Sequence, residues 1–321
     1  MIIRKISANF TPLHQGILFD IESGNELPSD MVVEIVDVKS EEVVATQLLR
    51  NTISARVNIA PYLTRFEEYA PTLCNATSFS KAPTAIYKVR VGEIESDDII
   101  ISVNRTPIAT TPAIVTSLPP MRRISYGEND EVLIVTDNGK KIYAEMENNN
   151  GEIVHLEYLP TTDATLLTIT PSTFNTESKS FEVILYCEGQ ILGKLRYAVT
   201  SSQQNSSRLA WLSESGAIER YTFPRSYKTL FATDKRRIMT AEGICSAFCR
   251  TKQIVALSSR IEPCATIKAL AQIASSPKVW LEQNGRYELV DITTSQIEHN
   301  MFGEASYLYL EATISQKEVS L

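Results

Sequence analysis

Arg208-Leu209-Ala210-Trp211-Leu212-Ser213-Glu214-Ser215-Gly216-Ala217-Ile218-Glu219-Arg220-Tyr221-Thr222-Phe223 opens the stretch that decides the fold, and Ala305-Ser306-Tyr307-Leu308-Tyr309-Leu310-Glu311-Ala312-Thr313-Ile314-Ser315 closes it. Between these two runs lies one helix-like segment, Ala265 to Ser275, where Ile267, Leu270, Ala271 and Ala274 recur at i, i+3, i+4, i+7 spacing. Pro277 marks its end. A strand-turn-strand signal follows: Lys278 to Leu281, the turn dipeptide Asn284-Gly285, then Tyr287 to Ile292. The spacing predicts a β-rich domain over 208–321 that carries one packing helix at about 265–275 and no catalytic motif.

Working outward, 321 residues exceed the usual single-domain size, so two or three domains are expected. Hydrophobic residues at 43% and charged residues at 21% suit a globular chain with real cores. A net charge of −7 argues against a general phosphate-binding surface, so no nucleic-acid partner is expected. The local basic runs Lys235-Arg236-Arg237 and Arg122-Arg123 read as solvated strand faces or loops. Met1 to Phe10 places charges where a signal peptide needs its apolar core, and no run approaches the roughly 18 apolar residues of a membrane span. Cytoplasmic synthesis without membrane insertion is the expectation, moving to the cell surface if a leader peptide had been removed.

The chain N-terminal to Arg208 alternates short β-favouring runs with turn signals. Over 1–104 the alternation is clear at Val32, Glu34, Val36, Val38 and again at Tyr87, Val89, Val91. Pro107, Pro112, Pro119 and Pro120 mark 105–120 as a linker or extended crossover. The pattern resumes over 121–200, punctuated by Asp137-Asn138-Gly139, Asn148 to Gly151 and Glu188-Gly189. Ser201 to Ser207 is small, polar and aperiodic, a second linker. With no long helices between strands, the prediction is a mainly β protein: two tandem antiparallel sandwiches of the immunoglobulin or fibronectin kind, then the β-rich domain with its single short helix.

Signals for chemistry are sparse. Five cysteines, Cys74, Cys187, Cys245, Cys249 and Cys264, are odd in number and scattered, as expected of reduced thiols. Zinc would require Cys245, Cys249 and Cys264 to converge with a fourth ligand, and no Cys-x2-Cys pair supports that. With 12 glycines the chain holds no Gly-x-Gly-x-x-Gly and no P-loop, so no cofactor is expected. His14, His155 and His299 lie far apart, and Ser213-x-Ser215-Gly216 lacks the leading glycine of a nucleophile elbow. The acidic pairs Glu67-Glu68 and Asp97-Asp98 are sequence neighbours, which on a strand face opposite ways and cannot flank one scissile bond. Trp211, Tyr221, Phe223, Trp280, Tyr307 and Tyr309, with Tyr287, concentrate in the last third as candidate packing or interface aromatics.

The order Arg208-x-x-Trp211-Leu212-Ser213-x-x-Gly216-Ala217-Ile218-Glu219-x-Tyr221-Thr222-Phe223, followed by the basic run Lys235 to Thr240 and by Ser276-Pro277-Lys278-Val279-Trp280-Leu281, resembles tail-structural proteins of tailed phages and prophages. The resemblance covers roughly the last third, with Asn58-Ile59-Ala60-Pro61-Tyr62-Leu63 also similar. It implies a non-enzymatic building block of a tail-like particle whose partners are other structural proteins of the assembly or further copies of itself. The competing classes are a surface adhesin or carbohydrate-binding sandwich protein and, with the least support, a hydrolase built on His155 or His299.

Overall fold

The computed structural model describes residues 2–6, 16–24, 27–63, 69–102, 112–136, 139–162, 164–175, 177–201, 206–283, 285–294, 297, 299–302 and 305–320. The protein is mainly β, with antiparallel sheets and one α-helix among the described residues.

The first sandwich is built from β1 (Ile2–Lys5), β2 (Leu18–Glu22), β3 (Ser29–Asp37), β4 (Val43–Thr52), β5 (Ser54–Asn58), β7 (Thr84–Val91), β8 (Ile94–Glu95) and β9 (Ile99–Ser102), while β6 (Ser78–Lys81) leaves it. One sheet has the order β1-β2-β5; the other runs β4-β3-β7, with β8 and β9 on the far edge of β7. Alternate residues point inward, so Phe19, Ile21, Val33, Ile35, Val57, Val89 and Ile99 make a closed core. At Pro61 the chain turns out of β5 into a short 3₁₀ turn, Ala60–Tyr62, since proline cannot continue a ladder.

The second sandwich repeats that connectivity with β10 (Ala113–Val115), β11 (Met121–Ser125), β12 (Asp130–Val135), β13 (Ile142–Asn148), β14 (Ile153–Tyr158), β15 (Ala164–Ile169), β16 (Ser180–Cys187) and β17 (Gln190–Thr200). Its sheets are β10-β12-β15 and β14-β13-β16-β17-β11, the last pair parallel. The first strand thus splits between the two sheets, a feature of immunoglobulin-like sandwiches, and the shared strand order makes the two modules architectural duplicates. Two expectations change here. The segment 105–120 is not linker throughout, because β10 lies in it and Leu118 is buried in the third module; residues 105–110 lie outside the described chain. The stretch after Pro61, which reads in sequence as a loop from Thr64 to Ser80, supplies β6 at its end, which leaves the first module to pair with β15.

The third module contains β18 (Ser207–Leu212), β19 (Ile218–Phe223), β20 (Arg225–Thr240), β21 (Gly243–Ser258), β22 (Glu262–Pro263), α1 (Cys264–Ser275), β23 (Val279–Gln283), β24 (Arg286–Ile292), β25 (His299–Phe302) and β26 (Ala305–Ser320). The sheet order is β19-β18-β23-β24-β26-β21-β20. Helix α1 lays Ile267, Leu270 and Ile273 onto Leu308, Leu310, Val255 and Leu257. The expected helix and strand pair are therefore found, although Asn284 of the turn lies outside the described residues.

The modules are fused by strands buried on both faces. In β12 and β15, Val132, Ile134, Leu167 and Ile169 face the sandwich core. Leu133, Val135, Ala164 and Leu166 face the other way, against Ala210, Leu212, Ile218 and Trp280 of the third module. This double burial replaces the alternation of a solvated sheet: all six residues of each strand are buried. Tyr69 and Ala82 of the first segment join the same seam.

Candidate assembly surface

The run 208–223 is the keystone of that seam. In β18, Leu209 and Trp211 point into the α1 core while Ala210 and Leu212 point at the second sandwich. Ser213 to Ala217 forms the turn, closed by the Ser213 amide on the Ala217 carbonyl at 2.9 Å and by Ser213 Oγ on the same oxygen at 3.0 Å. The Ser213-x-Ser215-Gly216 pattern is thus a hairpin turn, with Gly216 at φ +87° where a side chain would be strained.

Charged groups are buried across the seam in pairs. Arg122 Nη1 donates to Asp130 Oδ2 at 2.7 Å, and Tyr197 Oη donates to the same oxygen at 2.8 Å. Arg208 binds Glu128 at 3.0 Å and the Asn129 carbonyl at 2.7 Å; Arg220 pairs with Glu131 and lies 5.8 Å over the Tyr287 ring. Glu219 accepts from the Ser117 amide at 2.7 Å and from Thr116 Oγ1 at 2.8 Å. Burial works to raise the Asp130 pKa, but Arg122 and Arg208 outweigh it and hold the carboxyl below its ordinary value. At Glu219 burial prevails over Arg122, and the carboxyl is raised. Removing one partner of such a pair leaves a buried charge without compensation. The network therefore ties the second sandwich to the third module through buried charge pairs.

The six aromatics singled out in the sequence divide accordingly. Trp211, Phe223 and Trp280 are buried, the first two in the α1 core and Trp280 in the seam. Tyr221 packs edge-on to Phe223 and donates to Glu262 at 3.0 Å. Tyr307 is half-buried and Tyr309 exposed, its hydroxyl on Glu311 at 2.9 Å. They are packing residues for the most part and do not gather into one platform.

A different surface emerges immediately after Phe223. Strands β20, β21 and β26 each span sixteen residues, far beyond the usual five or six, and sixteen residues of strand reach roughly 50 Å. The inner ends of β21 and β26 lie in the core: Val255, Ala256, Leu257, Leu308, Leu310 and Ala312 are buried. From Phe231 to Ile244 every residue is exposed, and no second layer covers them among the described residues. Phe231 is 68% exposed, Met239 76% and Ile244 68%. The tip of the β20–β21 hairpin ribbon, 231–244, therefore stands uncovered, and the outer edge of β20 carries no paired strand among the described residues. A register shift between Arg236 and Arg237 leaves Ala247 unpaired. That bulge places Cys245 and Cys249 on opposite faces, so they do not converge with Cys264. Among the described residues no group of three His, Cys, Asp or Glu is placed to hold a metal.

The remaining candidates for chemistry are dispersed. His155 stands on the outer face of β14, mostly exposed, with Nδ1 3.7 Å from Glu145. It shares a shallow dish with Tyr143, Glu157 and Tyr186. Asp98 sits near Lys88, and Glu67, Glu68 and His14 lie outside the described residues. No Ser, Cys or Asp completes a hydrolytic set around His155 in that dish.

No family model matches the chain, and no curated protein matches it. Among solved structures it is similar to the FN1–FN3 domains of chicken CNTN1 at 8% identity, covering 79% of this chain and 91% of that one with a TM-score of 0.24. The chicken interferon gamma receptor alpha chain follows at 10% identity, 60% and 92% coverage and a TM-score of 0.16. A Salmonella alpha-2-macroglobulin variant gives 9% identity, 99% and 21% coverage and a TM-score of 0.20. Likenesses this low carry no argument about activity, and the strand order of the chain itself defines its sandwiches.

The ribbon left a trace in the sequence that its length obscured. Between Arg225 and Ser258 there is no proline and one glycine, Gly243, which adopts φ +125° beside the Ala241-Glu242 turn. Lys235-Arg236-Arg237, expected on a solvated strand face or loop, lies on the exposed part of β20.

Proposed function

We propose that the chain is a non-enzymatic building block of a phage-tail-like or prophage-tail-like particle, acting through protein-protein contacts. The observation that supports this best is the projecting ribbon. A globular module gains little for its own stability from a hairpin tip, 231–244, in which every residue is exposed, whereas a partner laid on one face of it covers Phe231, Met239 and Ile244. The rigid seam serves the same end, because a ribbon helps assembly only when its base is held at a fixed angle to the rest of the subunit. The resemblance of 208–223 and 276–281 to tail-structural proteins points the same way.

The test removes the ribbon and spares the core. Residues 233–251 are replaced by Asn-Gly, a two-residue hairpin turn. The tagged chain, co-expressed with its neighbouring genes, is followed through particle sedimentation. The full chain is expected in the particle fraction and the shortened chain in the soluble fraction, with the same near-ultraviolet circular dichroism. Equal incorporation of both removes the ribbon from the proposal.

The alternative of a glycan-binding surface protein rests on the dish flanked by Tyr143 and Tyr186 with Glu145, Glu157 and His155. Glycan-array binding that is lost in Tyr143→Ala, with the ribbon variant unaffected, would favour it.

A further inference from the structure

We infer that the occupant of the ribbon is a second copy of this chain, held in a heterologous contact in which the ribbon of one copy lies on the acidic body of the next. The inference rests on the ribbon being a docking surface and adds what docks there.

Charge supplies the argument. Residues 225–253 hold seven Lys or Arg against two Asp or Glu, a net charge of +5, while the rest of the chain holds 24 against 36, a net of −12. Much of that excess is on the sandwiches: 1–104 carry nine basic against 14 acidic residues, and 105–200 carry eight against 12. One polypeptide therefore makes a basic projection and an acidic body, with Lys235 to Arg237 roughly 35 Å of strand beyond Arg225 at the base.

The same charges select the geometry. Two ribbons paired edge to edge about a two-fold axis would bring Lys235, Arg236 and Arg237 of one copy against those of the other, and like charges at such spacing are repulsive. Basic residues on an open edge oppose indiscriminate sheet extension and admit a partner of opposite sign. A ribbon-to-body contact satisfies both conditions, and being head-to-tail it leaves each copy with one free ribbon and one free body, which generates a ring or a filament. Duplex nucleic acid is the other class of occupant for a basic ribbon, but an acidic body of −12 would repel phosphates around it. Exposed Phe231, Ile238, Met239 and Ile244 on the same ribbon fit a protein surface better than a groove.

The experiment is sedimentation velocity of the purified full chain over a concentration series, at low salt and at ~0.5 M salt, where screening shortens to a few ångströms. Mass is expected to grow with concentration at low salt and to fall back at high salt. The charge-reversed chain, Lys235→Glu with Arg236→Glu and Arg237→Glu, is expected to need at least about ten-fold more protein to associate. Labelled charge-reversed chain should still bind wild type, because its body remains an acceptor, while failing to bind itself; that asymmetry distinguishes a heterologous contact from an isologous one. Met239→Ser, at the exposed tip, gives a milder variant in case the triple change disturbs the fold. A wild-type chain that stays monomeric at every concentration and salt overturns the inference, as does association unchanged by charge reversal. Retardation of a DNA duplex by a monomeric wild-type chain, lost on charge reversal, replaces it with nucleic acid. If the chain is monomeric but the ribbon-shortened variant still drops out of particles, the second copy falls while the assembly role stands; if neither variant has an effect, both fall.

Discussion

The two stretches on either side of Pro224 use the same chemistry for opposite ends. In 208–223, Arg208 and Arg220 are buried against Glu128 and Glu131, and Trp211 and Phe223 are fully enclosed. In 225–253, Lys235, Arg236 and Arg237 are exposed, and Phe231 and Met239 stand in solvent. The first arrangement joins the second sandwich to the third module; the second leaves charge and apolar surface ready for something outside the chain. What decides whether Trp211 or Phe231 is enclosed is whether a second layer covers its strand.

The comparison is broken most strongly at Arg220. Arg220→Met strands the Glu131 carboxylate in the seam and is expected to cost about 3–5 kcal/mol, read by urea unfolding. The double variant with Glu131→Leu should recover much of that loss, because both charges are then gone. Along the ribbon itself the contrast is graded. Leu257→Ala, at the buried base, is expected to cost about 2–5 kcal/mol.

The pH dependence sharpens the contrast within the seam. Glu219 has a raised folded pKa, so its contribution to stability is fully present below the ordinary carboxylate value and is lost as pH rises through the folded one. Glu219→Gln keeps an acceptor for Ser117 and Thr116 and cannot ionise. Relative to wild type, the variant should therefore gain stability as pH rises above roughly 4, measured by unfolding at a series of pH values. Asp130 behaves oppositely: its lowered pKa gives stability that is present above its ordinary value and lost as pH falls through the folded one. The smallest effect is expected at the outer ribbon, where Phe231→Ala should shift unfolding by no more than about 0.5 kcal/mol. A cost comparable to that of Leu257→Ala would mean that the chain itself covers the ribbon, and the contrast would disappear.

Much of the architecture was legible because it is local. Alternation in Tyr87, Val89 and Val91 placed a strand with its inner face, and the i, i+3, i+4 spacing of Ile267, Leu270 and Ala271 located α1 within a residue of Cys264–Ser275. The aromatics were legible only as packing or interface residues, without which core each would enter. The seam was hidden, since Leu133 and Val135 look like any strand residues until the third module is laid on their outer face. Leu118 and β6 were misplaced for the same reason: each packs into a module other than the one its sequence position suggests.

By itself, then, the sequence determined the kinds of strand and turn, the single helix, the acidic balance and the position of the basic run, because each depends on a few neighbouring residues. The tertiary structure alone decided which strands are buried twice and which stand uncovered. Burial is a relation between distant segments: Trp211 and Phe223 are enclosed and Phe231 and Met239 uncovered because of what the rest of the chain brings against each.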